Sequence, residues 1–176
     1  MSTKSKQPVA EGFNGLGLST AVLDTLTALG YEEPTPIQRE AIPPLLAGRD
    51  LLGQAATGTG KTAAFALPLL ERIHSDRGDG VDDETRRPRA LILVPTRELA
   101  MQVAEAVHKY GRTAFGTSVV PVYGGQAIQQ QLRALKRGVD VIVATPGRAL
   151  DHIRRRSIEL SDVRLDRKST RLNSSH

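Results

Sequence analysis

The chain has 176 residues, of which 39% are hydrophobic, so we predict one domain with a single core. It contains no cysteine, which excludes disulfides, cysteine-based zinc sites and thiol nucleophiles. The net charge of +5 favours a polyanionic partner, and the absence of a long apolar run or an apolar signal core predicts a cytoplasmic protein with no membrane contact.

The N-terminal part of the chain is predicted to be helical after a disordered tail at residues 1–10. A first helix is predicted at 19–29, with Ser19 as its N-cap, since a serine hydroxyl can accept from a free amide of the first turn. A second helix is predicted to start at Pro36 and to reach about residue 46, because proline is well suited to the first position of a helix.

From residue 50 onward, short β-rich runs alternate with helical patterns, an order typical of βαβ units with a parallel sheet. The predicted strands are nearly continuous in apolar residues, so helices should cover both faces of the sheet. Each strand ends before its helix in glycine, proline or threonine, at the edge where open α/β sheets bind ligands. The predicted strands are 50–54, 89–94, 118–123 and 140–144, and the predicted helices are 61–73, 96–110, 126–136 and 147–155.

Two groups of polar residues are weaker candidates for a site. The acidic run of Asp82, Asp83 and Glu84 could form a metal or catalytic cluster, but its polar, glycine-bearing surroundings favour a solvated loop. The four histidines are scattered along the chain, so no metal site is predicted from them.

The stretch "GQAATGTGKTAAFALPLL" predicts a phosphate-binding loop. A small-residue turn leads into a helix near Lys61, so backbone amides and the helix N-terminus converge on one point. Gly58 and Gly60 can adopt positive φ angles at little cost. Lys61 would reach the β- and γ-phosphates, and the Thr62 hydroxyl would bind Mg²⁺. The generic pattern has glycine where this chain has Ala55.

"AATGTGKT" resembles the first ATPase motif of DEAD-box RNA helicases, which tolerates alanine at that position. Phe13 and "GYEEPTPIQ" resemble the Q motif of the family, while "PTRELA", "GG" and "TPGR" resemble its RNA-contacting motifs. The resemblance implies a RecA-like P-loop NTPase domain with a mostly parallel sheet between helices. It also implies ATP and Mg²⁺ as cofactors and RNA as partner.

Several residues thereby gain expected roles in nucleotide binding. A glutamine side chain can both donate and accept, so Gln38 can pair with the N6 and N7 edge of adenine. Phe13 either stacks on the base or packs as a staple against the first helix, and Thr35 either belongs to the adenine site or orders a turn. Lys61 and Thr62 are implied as catalytic, with Thr62 also on the metal. The nucleotide-binding residues implied are Phe13, Thr35, Gln38, Ala56, Thr57, Gly58, Thr59, Gly60, Lys61 and Thr62.

The RNA-side motifs follow three predicted strands at the ligand edge of the sheet. Their amides, hydroxyls and guanidinium groups can donate to phosphate oxygens, which would hold RNA by its backbone with little sequence preference. Aromatic residues make up only 3% of the chain, so recognition by base stacking is not predicted. The basic run 153–157 is either a further patch or, as we favour, a solvated helix end. The RNA-contacting residues implied are Pro95, Arg97, Gly125, Thr145, Gly147 and Arg148.

The C-terminal part of the sequence departs from the family. The D-E-A-D motif that should follow "LSDVRL" is missing, and Asp166 is not a substitute because neither an apolar strand nor an acidic partner accompanies it. Residues 166–176 equal one reading frame of a common sequencing adapter, so we expect a non-native tail rather than a natural or RNA-binding one. The remaining segments are predicted as a Q-motif segment at 11–39 and the N-terminal part of the RecA-like domain at 40–165, with the sheet incomplete and a second RecA-like domain absent.

The resemblance predicts an ATP-dependent RNA helicase at the level of the whole gene. Taken literally, the 176 residues are expected to bind ATP and RNA without catalysis. A small-molecule kinase would leave the Q motif, "PTRELA" and "TPGR" unexplained, and a DNA-translocating relative is disfavoured by Gln38 in its "PTPIQ" context.

Overall fold

The computed structural model describes residues 12–75 and 87–163, together with the backbone of Leu165–Lys168. The predicted N-terminal tail at 1–10 lies outside the described residues, and so does the acidic run of Asp82, Asp83 and Glu84. Residues 169–176 of the expected adapter-derived tail also lie outside them. The proposed segment boundaries therefore stay predictions.

The N-terminal helices form where the sequence predicts them. A 3₁₀ turn at Gly12–Leu16 precedes helix α1, Thr20–Ala28, and helix α2 follows at Pro36–Leu46. The Ser19 hydroxyl accepts from the amide of Val22 at 3.4 Å, which confirms Ser19 as the N-cap of α1. Pro36 occupies the first turn of α2, as expected for a residue that has no backbone N–H in need of a hydrogen-bond acceptor.

The rest of the chain alternates strands and helices. The phosphate-loop helix and the first two strand–helix pairs are α3 Lys61–Ser75, β1 Ala90–Leu93, α4 Arg97–Phe115, β2 Val119–Val122 and α5 Ile128–Lys136. The last elements are β3 Val141–Ala144, α6 Pro146–Arg154 and β4 Leu165–Lys168. Helix α4 runs five residues beyond its predicted end at 110 and stops where Gly116 adopts a left-handed φ of 64°.

The four strands form one parallel sheet in the order β2-β3-β1-β4. Leu93 and Val122, the last residues of β1 and β2, both pair with Ala144, the last residue of β3. The carboxyl ends of these three strands are therefore level, and the loops that follow them leave the sheet along one edge.

Strands β1 and β3 are buried on both faces, which explains their nearly continuous apolar runs. Ile92 of β1 and Val143 of β3 point into a core built with α1, α2, α3 and α4. The alternate residues Leu91 and Ile142 point into a second, smaller core with Ala149 of α6 and Leu135 of α5. The helices thus form a layer on each side of the sheet, the predicted arrangement.

One predicted strand is wrong, and one strand was missed. Residues 50–54 form no strand, and Leu52 is fully exposed at 102% of its reference area. A strand requires a hydrogen-bonded neighbour, and none of the four described strands pairs with this segment. Conversely, "LDRK" has no strand pattern, yet the backbone of Leu165–Lys168 pairs with β1. The pairing satisfies backbone groups of β1 whatever side chains β4 carries.

Candidate functional site

The predicted phosphate loop is a glycine-shaped turn that ends at the first residue of α3. Gly58 and Gly60 have φ angles of 77° and 84°, values that L-residues with a side chain rarely adopt. The Thr59 hydroxyl closes the turn by donating to the Ala56 carbonyl at 2.7 Å, while Ala56 itself is exposed. The loop leads directly into the first turn of α3, whose backbone amides have no partner within the helix, an arrangement suited to an anion.

Lys61 and Thr62 lie on the first turn of α3, next to this loop. The Lys61 ammonium donates to the Ala55 carbonyl, so the side chain folds back across the loop. Thr62 is half-buried at the same helix end. The cation and the hydroxyl that the sequence assigns to phosphate and Mg²⁺ are therefore both at the loop.

Thr35 and Gln38 contact the phosphate loop directly. The Thr35 hydroxyl donates to the Thr59 carbonyl at 2.9 Å, and Gln38 Nε2 donates to the Gly60 carbonyl at 3.1 Å. The Gln38 side-chain carbonyl also accepts from the Thr35 amide at 3.0 Å, which ties the start of α2 to the same unit. Gln38 is only 2% exposed. The N-terminus of α2 therefore fixes two successive carbonyls of the loop.

Gly60 has no space for a side chain. A Cβ atom there would collide with Gln38 Nε2 and would lie 3.1 Å from the Thr35 hydroxyl oxygen. No heavy atom comes within 4 Å of the equivalent position at Gly58. The second glycine is thus required both for its backbone conformation and for the close approach of α2.

Phe13 lies in an aromatic cluster beside α1. Its ring meets Tyr31 edge-on, with centroids 6.5 Å apart, and the Tyr31 and Tyr110 hydroxyls are 2.8 Å apart. Burial and this hydrogen bond raise the pKa of Tyr110 above its usual range. Phe13 is 6% exposed and borders an open depression of about 590 Å³, which Leu26 of α1 also lines. The ring therefore packs against α1 and also lines a surface depression.

The three predicted RNA-side motifs meet at the level edge of the sheet. Pro95 is exposed, and Thr96 caps α4 by accepting from the Leu99 amide at 3.2 Å, which sets Arg97 in the first turn. Gly125 has a φ of 83°, and a Cβ there would lie 3.4 Å from Nη1 of Arg97. The Arg97 guanidinium also pairs with Glu98 at 3.2 Å. It therefore lies against the turn at 123–127, which contains the two glycines of the "GG" motif and which we call the glycine loop.

Arg148 approaches the same loop from α6. Its Nη1 donates to the Gln126 carbonyl at 3.1 Å and to the Gln131 side-chain carbonyl at 3.2 Å. Thr145 is the N-cap of α6 but its hydroxyl makes no capping bond, and Gly147 is exposed in the first turn. The guanidinium groups of Arg97 and Arg148, from the other two motifs, thus both lie next to the glycine loop.

Two buried polar residues at this edge were missed by the sequence predictions. Gln131 of α5 and His152 of α6 are 2% and 0% exposed, and Gln131 Oε1 lies 2.9 Å from His152 Nε2. Burial and the nearby Arg148 cation lower the pKa of His152, so the ring is neutral near pH 7. A signal existed, because helical spacing places Gln131 on the face of Leu135 and His152 on the face of Ala149.

The remaining candidates do not extend the site. No group of three or more potential metal ligands occurs among the described residues. Arg155 pairs with Asp151 one turn earlier at 3.3 Å, and the neighbouring arginines 154 and 156 are exposed, as in the solvated helix end that we favoured. No helix in the described part of the chain has the length and apolar character needed to cross a membrane.

The sequence model of the DEAD/DEAH box helicase family matches residues 35–165, which include the loop, "PTRELA", "GG" and "TPGR". The chain belongs to this family. Helicases named ATP-dependent RNA helicase DeaD are similar in sequence. The chain is 54% identical to the Klebsiella pneumoniae protein over 151 residues, which is 86% of the chain and 22% of that protein. For the Escherichia coli K12 protein the values are 52%, 86% and 23%. The chain thus spans less than a quarter of these relatives.

Solved helicase structures share the fold. A DEAD box protein from the hyperthermophile Methanococcus jannaschii is 39% identical with a TM-score of 0.77, covering 89% of this chain and 40% of that one. The RNA helicase Prp28 from Chaetomium thermophilum, bound to ADP, is 40% identical with a TM-score of 0.77, covering 94% and 40%. These similarities confirm the predicted RecA-like α/β architecture for this helicase-family chain.

Proposed function

We propose that this chain is the part of an ATP-dependent RNA helicase that binds ATP and the RNA backbone. The observation that carries the proposal is the phosphate loop held by Thr35 and Gln38, with Lys61 and Thr62 at its helix end. Membership of the helicase family and the name of the DeaD relatives support the same assignment.

The loop fits a nucleotide polyphosphate. Small residues at 56–60 let backbone amides approach phosphate oxygens, and Lys61 can exchange its bond to the Ala55 carbonyl for a phosphate oxygen. The Thr62 hydroxyl is the protein group that would contact Mg²⁺, an ion that usually keeps several waters and substrate phosphates as ligands. Binding of Mg²⁺ with the nucleotide therefore needs few protein carboxylates, whereas ATP hydrolysis needs more.

The adenine end is proposed at Gln38 and Phe13. Among the described residues Gln38 makes two hydrogen bonds, which leaves one N–H and one acceptor position on its amide. This is the pair of groups that the N7 and N6 edge of adenine requires. Phe13 lines the depression beside Tyr31 and is proposed to pack near the base.

RNA is proposed to bind across the level edge of the sheet. Arg97, the Gly125 amide, the Thr145 hydroxyl and Arg148 can donate to phosphates, with Pro95 and Gly147 exposed between them. Contacts of this kind position a strand without reading its bases. We expect the affinity to fall steeply with salt, because each phosphate contact releases counterions.

We further propose that the 176 residues bind ATP without hydrolysing it. Hydrolysis needs a carboxylate on Mg²⁺ and a group that orients the attacking water, and the sequence contains no D-E-A-D motif. RNA unwinding is proposed only for a whole helicase, since the chain spans less than a quarter of the DeaD relatives.

The proposal is tested with a fluorescent ATP analogue. Lys61→Ala should weaken nucleotide binding at least tenfold, while Lys109→Ala, which removes an exposed lysine from α4, should change it less than twofold. Equal affinities in Lys61→Ala and the unmodified chain would contradict the nucleotide site. RNA-stimulated phosphate release that Lys61→Ala abolishes would contradict binding without hydrolysis.

A further inference from the structure

A polar cluster with two fully buried members, Gln131 of α5 and His152 of α6, is hydrogen-bonded to both sides of the glycine loop. We call it the Gln131 hub, and it consists of Gln126, Gln131, Arg148, His152 and Ser157. Burying Gln131 and His152 is unfavourable unless their polar atoms find partners, so their hydrogen bonds show what the hub holds in place.

Gln131 uses its whole hydrogen-bonding capacity. Its Nε2 donates to the Tyr123 backbone carbonyl and to Gln126 Oε1, both at 2.8 Å. Its Oε1 accepts from Arg148 Nη1 at 3.2 Å and lies 2.9 Å from His152 Nε2. A side-chain amide offers two donors and two acceptor positions, so Gln131 is saturated.

Because Gln131 is saturated, its contact with His152 shows that Nε2 of the ring carries a proton. The Tyr123 carbonyl can only accept and the Arg148 guanidinium can only donate, so the orientation of the Gln131 amide is determined. Oε1 therefore only accepts, and His152 Nε2 must carry the ring proton. The other ring nitrogen, Nδ1, lies 2.7 Å from the Ser157 hydroxyl, whose single proton goes either to Nδ1 or to the His152 backbone carbonyl at 3.0 Å.

The hub holds both sides of the glycine loop and the arginine beside it. Tyr123 precedes Gly124 and Gln126 follows Gly125, and the side chain of Gln131 binds both flanking residues. Arg148 is attached through Nη1 alone, since Nε and Nη2 have no hydrogen-bond partner among the described residues. Those two nitrogens are thus held in place and remain available to an anion.

We propose that Gln131 and His152 are positioning residues for phosphate binding at this edge: the hydrogen bond from His152 Nε2 holds the Gln131 amide in place, and Gln131 in turn fixes the glycine loop and the Arg148 guanidinium. The inference rests on the proposed RNA site. A purely structural role would be served as well by apolar side chains of the same shape, which need no oriented donor.

Two substitutions of His152 separate positioning from packing. In His152→Gln the amide nitrogen falls near the place of Nε2 and can still donate to Gln131. In His152→Asn the amide falls near the place of Nδ1, so the Ser157 contact is kept and the donor to Gln131 is lost. Both variants keep a polar side chain, so they are matched in chemistry and differ in which bond survives.

The test measures binding of a short fluorescein-labelled oligouridine by anisotropy, and of a fluorescent ATP analogue, on the full chain. His152→Asn should weaken RNA binding about threefold to tenfold, the loss expected for an oriented hydrogen bond, while His152→Gln should stay within about twofold. Neither should change ATP binding. Thr117→Val, which removes a buried hydroxyl bonded to the Gly111 carbonyl at 3.1 Å, is the control for general destabilisation and should leave RNA binding unchanged.

Hydrogen–deuterium exchange of the ligand-free chain provides a second readout that does not depend on RNA. His152→Asn should raise exchange in residues 123–127 but not in α3, and His152→Gln should not. Equal RNA affinity or equal loop exchange in the two variants would overturn the positioning role. If the unmodified chain binds no oligouridine, the proposed RNA site fails, and the exchange data still decide whether His152 and Gln131 fix the loop.

Discussion

At the scale of single residues, Gly60 is the point where the predicted phosphate loop and α2 approach most closely. Its positive φ is one constraint, and the side chains of Thr35 and Gln38 are a second, since they fill the space where a Cβ would lie. Gly58 is subject only to the first constraint. The two glycines of one loop are therefore matched tests of backbone strain and of close packing.

Gly60→Ala should weaken ATP binding more than Gly58→Ala. A left-handed alanine costs roughly 1–2 kcal/mol at either position, and displacing Gln38 adds about 1–3 kcal/mol at position 60. We therefore expect at least a further fivefold loss of affinity for Gly60→Ala, measured with the fluorescent ATP analogue. Indistinguishable affinities would mean that the contact between α2 and the loop has no bearing on nucleotide binding.

The phosphate loop could be predicted as a unit because its residues are neighbours in sequence, and their roles in nucleotide binding stay predictions. Glycine, lysine and threonine of the phosphate loop lie within a few positions of each other, so the pattern alone indicated them. Gln131 and His152 were missed because most of their partners are 8 to 21 residues away in the chain, and no local pattern shows that these side chains meet. Their position on apolar helix faces was the available clue.

At the scale of elements, helices were more predictable than strands. Helix periodicity and N-caps are local, and Ser19 and Pro36 indicated two starts correctly. A strand needs a hydrogen-bonded partner strand, which a local pattern does not show. The apolar residues of 50–54 predicted a strand that does not form, while Leu165–Lys168 pairs with β1 without an apolar pattern. The end of α4 was placed early because Gly111 lies inside the helix and Gly116 ends it.

Gly111 is the point of close contact between α4 and α3, and Gly111→Ala should destabilise the chain. Alanine normally favours a helix by about 1 kcal/mol over glycine. Here a Cβ would lie 2.6 Å from the Thr117 hydroxyl oxygen and 2.7 Å from Leu70 Cδ2, and such overpacking costs roughly 1–3 kcal/mol. We expect a net loss of about 1 kcal/mol in urea unfolding.

Gly147→Ala is the matched control, because it makes the same change in a helix with open space around the new Cβ. It should leave the unfolding free energy unchanged or raise it slightly. A stabilised Gly111→Ala chain would contradict the tight packing of α3 against α4.

At the scale of the whole molecule, His152 couples stability to pH. Its folded pKa is lowered by burial and by Arg148, whereas an unfolded histidine titrates near about 6.5. Below that pH the unfolded chain binds a proton that the folded chain resists, so this contribution to stability is complete above about pH 6.5 and is lost as pH falls toward the folded pKa. Asp151 opposes the shift, and Arg155 adds to it.

Urea unfolding at pH 7.5 and 5.5 should therefore show a larger loss of stability in the unmodified chain than in His152→Gln. The slope from one such proton is at most about 1.4 kcal/mol per pH unit. All other residues are the same in the two chains, so the comparison isolates His152. Identical pH dependence of the two chains would show that the buried ring does not resist protonation.

The level carboxyl ends of β1, β3 and β2 fix the spacing of the loops that follow them. Neighbouring strands lie about 4.8 Å apart, so the outer two of the three loops leave the sheet about 10 Å from each other. That interval is set by backbone hydrogen bonds and does not change with the side chains of the loops. A polyanion bound along this edge would therefore be selected by the spacing of its charges. Discrimination between nucleic acids would then depend on the geometry of the sugar–phosphate backbone.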